Sequence, residues 1–261
     1  RSWVGSIYEL GFWSGRWKDQ ECIDYCNNTT WDYLAHQALG SKMDMDNHDP
    51  TNSQTLDISG YENHGAFNGT ALTKNTDEWG YNLPGTDEYL NYGHDASLSV
   101  GDGATDGDGL TISYWFRTAD ITSFRGLYKR GAAGQEYQFG IAASNFQGQV
   151  FDDSEGGYIG RRYAVTDLLP NSWYNAIMTY DGNGASSGME LICQGTVRAT
   201  ADSSSGSYIA MEPTSQNLEA GRYTTQYANG DMAFIRVIRK GLTPIQAMDL
   251  HYREKLLLNQ V

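Results

Sequence analysis

Chemistry on this chain would have to come from its carboxylates, histidines, thiols or a serine, and the spacing of each can be tested. Two carboxylates that split a glycosidic bond with retention must share one cleft at about 5–5.5 Å, which on a strand means alternate positions. The acidic pairs Asp77-Glu78, Asp87-Glu88 and Asp152-Asp153 are adjacent instead, so on a strand they would face opposite ways. They read as solvated loop charges. Gly184-Ala185-Ser186-Ser187-Gly188 spells G-x-S-x-G, but a nucleophile elbow needs a strand before it and a helix after it, and both flanks here read as strand. His36, His48, His64, His94 and His251 show no H-x-x-x-H spacing for a metal. Cys22 and Cys26 lie in a segment that reads as helical, where residues four apart rise about 6 Å along one face, a poor disulfide geometry. With Cys193 they read as free thiols, and no catalytic residue is expected.

Sugar recognition asks for aromatic faces beside amide, carboxylate or guanidinium groups, held on loops by a rigid scaffold. Trp79, Tyr81, Tyr158, Tyr163, Tyr223 and Tyr227 lie near glycine turns with Asn, Asp or Arg close by. Arg161-Arg162 is the densest basic pair, suited to an acidic sugar or to pairing with the surplus carboxylates. The expected ligand contacts are Trp79, Tyr81, Tyr158, Arg161 and Tyr223.

Composition limits the partners. With 18 Lys and Arg against 32 Asp and Glu, the net charge of −14 repels phosphate backbones and anionic membranes, so nucleic acid is not an expected partner. No window approaches the roughly 18 apolar residues of a membrane helix, and RSWVGSIYELGFW lacks a secretory pattern, so membrane insertion is not expected. A chain beginning at Arg1 is expected to be a mature fragment or a piece of a longer polypeptide.

The elements that must position these groups are strands. Thirty glycines against five prolines, with 18 tyrosines and 7 tryptophans, suit short strands joined by glycine turns. Strand-like runs occur at 64–67, 89–92, 110–117, 126–129, 137–142, 149–151, 173–180, 189–194 and 232–238. Asp181-Gly182-Asn183-Gly184 accepts the positive φ of a hairpin turn between two of them. Strands recurring without helices favour an all-β, two-sheet antiparallel sandwich. One helix is expected near the C-terminus, since Thr243-Pro244-Ile245-Gln246 is a capping box with proline at the first helical position. Ile245, Met248, Tyr252 and Leu256 should form its packed stripe, with Asp249, Arg253 and Glu254 facing solvent.

Residues 1–40 carry a second reading. A shift of 225 positions lays Gly5 on Gly230, Leu10 on Ile235, Trp13 on Ile238 and Asp24 on Asp249 without a gap. Residues 1–40 are therefore expected to be the strand-helix tail of a preceding repeat, or an N-terminal extension, and residues 41–261 the sandwich domain.

The segments LDISGYENHGAFNG from Leu56, NLPGTDEYLNY from Asn82, LTISYWFRT from Leu110, LYKRG from Leu127, WYNAIMTYDG from Trp173, MELICQG from Met189 and LEAGRYTTQYANGDMAFIRVIRKGLTPIQAMDLHY from Leu218 follow one order. In that order the chain resembles the laminin-G-like, concanavalin A-like jelly-roll family over some four-fifths of its length. The resemblance implies a jelly roll with a short C-terminal helix, with Trp115 and Trp173 between the sheets. It also raises a Ca2+ site at Asp57 and the backbone around Asn63, although Ala233 stands where the family's final-strand aspartate would be. In function it implies a non-catalytic structural or attachment module, expected on a bacteriophage virion or another extracellular surface. Its expected partners are further copies of itself or other virion or surface proteins, with a cell-surface glycan as ligand for adhesion. The alternative is an ancillary carbohydrate-binding domain of a secreted polysaccharide-active enzyme.

Overall fold

A computed structural model of the chain describes residues 37–41, 48–49, 54–70, 73–74, 80–104, 107 and 109–258. The strands before the first long hairpin are β1 (Gln37–Ser41), β2 (His48–Asp49), β3 (Gln54–Thr55), β4 (Gly65–Asn68), β5 (Thr73–Lys74), β6 (Tyr81–Pro84), β7 (Tyr89–Asn91) and β8 (Leu110–Arg117). A run of long strands follows, β9 (Phe124–Gly131), β10 (Gly134–Ala142), β11 (Asn145–Asp152), β12 (Gly157–Ala164), β13 (Tyr174–Tyr180) and β14 (Met189–Cys193). Short ones come next, β15 (Thr196–Val197), β16 (Ala201–Asp202), β17 (Glu219–Ala220), β18 (Arg222–Tyr223) and β19 (Gln226–Tyr227), before β20 (Asn229–Ile238) and the helix α1 (Pro244–Leu258).

Two large antiparallel sheets make a jelly-roll sandwich. One runs β15-β14-β13-β8-β20-β6-β5, with β1 and β6 sharing one edge of β20, and the other runs β16-β12-β11-β10-β9-β17-β7-β4-β3-β2. Alternation along each strand sends one set of side chains inward. Leu110, Ile112, Tyr114 and Phe116 of β8 meet Phe139, Ile141, Phe146 and Val150 from the opposite sheet. The rings pack with centroids 5.4 Å apart for Tyr114–Phe139 and 5.5 Å for Phe116–Phe146. Each fully buried aromatic side chain contributes about 1.5–3 kcal/mol.

Most of the expected strands form, but β12 was not anticipated. Its two glycines and two arginines interrupt any apolar alternation, yet eight residue pairs with β11 hold it extended. The expected hairpin joins β13 to β14 through 181–188, so the G-x-S-x-G run lies between antiparallel strands.

Three other expectations need correction. Trp115 does not fill the space between the sheets: Tyr114 and Phe116 take the inner face, and Trp115 packs outside with Ala233, Phe234 and the half-buried Trp173. The helix face is also rotated from the one expected. The capping box forms, with Thr243 N donating to Gln246 Oε1 at 3.0 Å and Gln246 N to Thr243 Oγ1 at 3.3 Å. Ile245 and Tyr252 are nevertheless exposed, and Ala247, Leu250, His251 and Glu254 are buried instead. Glu254 turns inward because it has partners there, Trp115 Nε1 at 2.7 Å and Arg236 Nε at 2.5 Å. Third, Glu88 and Asp152 are not solvated charges but buried caps. Glu88 accepts from Thr86 N and Asp87 N, and Asp152 from Glu155 N, Ile209 N and Ala210 N.

The proposed repeat at 5–26, Cys22, Cys26 and the pair Asp77-Glu78 lie outside the described residues. β1 pairs Gln37 with Ile238 and Ser41 with Ile235, so the sheet already includes residues N-terminal to position 41. Cys193 is a buried free thiol, and burial raises its pKa.

Candidate functional site

The outward face of the longer sheet carries the side chains that alternate with its core. On β11 and β12, Val150 and Ile159 point into the sandwich, so their neighbours Phe151 and Tyr158, paired across the strands, point out. On β9 and β10, Tyr128 and Gln138 are paired and likewise face away from the core. The β18–β19 hairpin brings Tyr223 down onto Tyr128, with ring centroids 5.0 Å apart and planes 23° from parallel. Arg130 closes the row. Its Cζ lies 4.5 Å from the Phe151 centroid and 5.4 Å from that of Tyr223, and Phe151 is 5.3 Å from Tyr158.

Phe151 and Tyr128 are buried and form the floor, while Tyr158, Arg130 and Tyr223 are half-buried above it. Amides tie the layers together: Arg130 Nε donates to Gln135 Oε1 at 2.7 Å, Arg130 Nη1 to Gln138 Oε1 at 3.0 Å, and Gln138 Nε2 to Gln149 Oε1. Two glycines make the floor fit. A Cβ at Gly140 would lie 2.6 Å from the Tyr128 hydroxyl, and one at Gly160 2.7 Å from Gln149 Cγ. Beside the row, Arg222 lies over Tyr89 at 4.5 Å, and Tyr89 faces Tyr227 at 6.3 Å. This arrangement offers stacking faces, amide groups and a guanidinium on rigid strands, the parts that saccharide recognition uses.

The expected contacts divide accordingly. Tyr223 lies against Arg130, and Tyr158 joins the same row through Phe151. Arg161 leaves from the other side of β12, where its Nε donates to Ser186 O at 2.7 Å. Tyr81 is a core residue at 2 % exposure, edge-on to Phe67, and Tyr163 is buried against Phe146, so neither ring can meet a ligand. Both sit on strands where inward alternation wins over proximity to a glycine. Trp79 lies outside the described residues. Sequence reasoning missed Arg130, Tyr128, Phe151 and the three glutamines. The alternation of Tyr128 with Arg130 and of Gln149 with Phe151 was legible, but the register that aligns the strands was not.

A second concavity of about 640 Å³ lies at one end of the sandwich, lined in part by Tyr61, Asn63, His64, His94 and Asp95. Its polar groups largely hold their own loops. His64 Nδ1 accepts from Asp57 N at 3.1 Å, and Asp95 accepts from Ser97 N at 2.8 Å, which lowers the Asp95 pKa.

Asp57, the expected calcium ligand, adjoins this end. Its Oδ1 accepts from Ser59 N at 2.9 Å, and its Oδ2 from Ser59 Oγ at 2.6 Å and Asn63 N at 3.0 Å, while Asn63 Nδ2 donates to Ser97 Oγ at 2.8 Å. Ala233 packs with Trp115 on the other sheet, and the described residues hold no cluster of three His, Cys, Asp or Glu suited to a metal. One carboxylate already engaged by backbone N–H groups does not fit calcium, which takes six to eight oxygens. Millimolar calcium should therefore leave the melting temperature nearly unchanged, whereas a site held at 100 times its Kd would add about 2.7 kcal/mol. Calorimetry with and without calcium, on this protein and on Asp57→Ala, checks this; a large shift lost in the variant would contradict it.

Comparison with known proteins adds the family. The model described as the concanavalin A-like lectin/glucanases superfamily matches residues 92–247, more than half of the chain. Among solved structures, the chain is similar to the receptor binding domain of botulinum neurotoxin D, with a TM-score of 0.60, 12% identity, and coverage of 86% of this chain and 54% of that one. It is also similar to the botulinum neurotoxin serotype D ligand binding domain in complex with N-acetylneuraminic acid, with a TM-score of 0.62, 12% identity, and coverage of 87% and 53%. A third is a botulinum neurotoxin type C structure, described as dependent for cell entry on two ganglioside molecules, with a TM-score of 0.60, 11% identity, and coverage of 86% and 53%. The chain thus spans about half the length of these proteins. No curated protein matches it.

Proposed function

Because the chain belongs to the concanavalin A-like lectin/glucanase superfamily, we propose that it is a non-catalytic attachment module that binds glycans through the Arg130 row. The observation that carries this reading is the row itself, in which Phe151 and Tyr223 lie against the Arg130 guanidinium, with Tyr158 beside Phe151 and Tyr128 beneath Tyr223. Support comes also from the structural neighbours, one described with N-acetylneuraminic acid bound and another with gangliosides. A binding role without cleavage fits the state of Asp152. Its oxygens are occupied by backbone N–H groups that lower its pKa against burial, which suits a cap and not a proton donor.

Contact with two or three half-buried rings is weak, so the module works as one of many copies. Linked copies raise avidity by about 10²–10⁴ without any new contact. We place such copies on a virion or another extracellular surface, assembled as a homo-oligomer or with other surface proteins. The isolated protein should bind a glycan array barely, and the same protein displayed on a multivalent bead should bind it measurably and release no reducing ends. Absence of binding by the multivalent form would overturn the glycan reading. Reducing-end release that is lost on changing Asp152 or Glu155 would overturn the non-catalytic one.

A further inference from the structure

We infer that the saccharide taken at the Arg130 row carries an acidic substituent, a carboxylate or a sulfate, and that Arg130 selects it; this rests on the glycan reading above. The chain is rich in acid, and half of the ten described arginines are ion-paired to it. Arg117 meets Asp231, Arg198 meets Asp167, Arg236 meets Glu254 and Arg253 meets Asp249, all at 2.5–2.8 Å. Arg130 has no carboxylate within ion-pair distance among the described residues, and its partners are the amide oxygens of Gln135 and Gln138. Amide oxygens fix the guanidinium plane without neutralising its charge.

The geometry leaves one edge of that plane for a ligand. Phe151 and Tyr223 lie against the guanidinium, and Nε and Nη1 are engaged, while Nη2 bonds to no protein group and is not enclosed. A planar edge with fixed donors matches the paired oxygens of a carboxylate or sulfate, and a held side chain loses little freedom on binding. Arg125, on the other side of Tyr128, also bonds only to neutral oxygens, those of Gln226 and Ile141. Acids nearby include Asp153, whose Oδ1 accepts from Gln135 N at 3.0 Å, Glu219, which meets Arg222 at 3.4 Å, and Glu212, whose Oε2 accepts from Ser154 N at 2.7 Å. Arg125, Arg130 and Arg222 thus bring three guanidinium groups to this face of a protein whose net charge is −14.

The test uses the protein on multivalent beads against lactose, sialyllactose and sulfated lactose. One or both acidic sugars should bind at least about tenfold more tightly than lactose, a difference of about 1.4 kcal/mol. Preference for the sialylated or the sulfated probe identifies which oxyanion is read. Arg130→Gln should abolish the preference, and Arg130→Lys should lose most of it because the planar fork is gone. Gln135→Glu leaves Arg130 in place but gives it an internal carboxylate, so this variant should lose the preference too, with an unchanged melting temperature as its folding control. Equal binding of acidic and neutral sugars, or a preference that survives both Arg130→Gln and Gln135→Glu, overturns acid selection while the glycan reading stands. No binding of any glycan overturns both.

Discussion

Lys129→Ala should destabilise the domain by about 3–5 kcal/mol, because it strips the counter-ion from a carboxylate that has no access to water. Lys129 and Glu136 are each fully buried and ion-paired to each other. Glu136 Oε1 also accepts from Ser99 Oγ at 3.1 Å, Thr214 N at 2.6 Å and Thr214 Oγ1 at 3.0 Å, while Lys129 Nζ reaches Ser99 Oγ and Thr214 O. Burial raises the Glu136 pKa, and Lys129 is the main group pulling it back. Without Lys129 that pKa must rise further. A carboxylate whose folded pKa lies above its unfolded value favours the fold in acid and loses that contribution as pH rises, so the deficit should be larger at pH 8 than at pH 5. Urea denaturation at the two pH values measures it. Exchanging both partners, Lys129→Met with Glu136→Leu, should recover most of the loss, since a buried apolar pair has no charge left to strand. A single variant within about 1 kcal/mol of the starting protein, or a double variant no better than the single, would show that packing dominates the site.

The same pair matters for the face around Arg130 because Thr214 lies on the 203–218 segment that leads to β17 and then to the β18–β19 hairpin bearing Tyr223. That segment returns along the sandwich through Ser205 against Tyr158, Ile209 and Ala210 against Asp152, and Leu218 against Tyr92. None of this was legible in the sequence, where 203–218 has neither helical nor strand period and Glu136 looks like a polar strand residue. What was legible is what repeats locally. The apolar alternation of Leu110–Arg117, the glycine turn after Tyr180 and the Thr243 capping box each follow from a few adjacent residues, and each formed. Failures came where distant residues decide. Glu254 reads as solvent-facing until Trp115 and Arg236 are brought beneath it, and Tyr81 reads as a loop aromatic until β6 pairs with β20. The Arg130 row was not legible for the same reason: its members come from five strands whose register no local pattern encodes.

Acid should loosen α1 before it affects the rest of the sandwich, and His251 sets the range. Its ring is 1 % exposed, lies flat on Trp115 with centroids 5.3 Å apart, and its Nδ1 has no hydrogen-bond partner among the described residues. Burial first and the Lys255 charge second lower its pKa from 6.5 to about 4. A histidine depressed in the fold stays neutral there while the unfolded chain takes up a proton, so stability is intact above pH 6.5 and falls as pH drops toward 4. The expected loss between pH 7 and pH 4.5 is roughly 2 kcal/mol. The charges around the ring are Lys255 and Glu254 on α1 and Arg236 on β20. Glu254 works in the opposite sense, because burial raises its pKa and its protonation favours the fold in acid. The His251 contribution is therefore read as a difference. His251→Phe keeps a ring on Trp115 and removes the titration, so its urea midpoint should fall less between pH 7 and pH 4.5 than that of the starting protein. Parallel pH profiles for the two proteins would mean that the imidazole is protonated in place and that other groups govern the acid response.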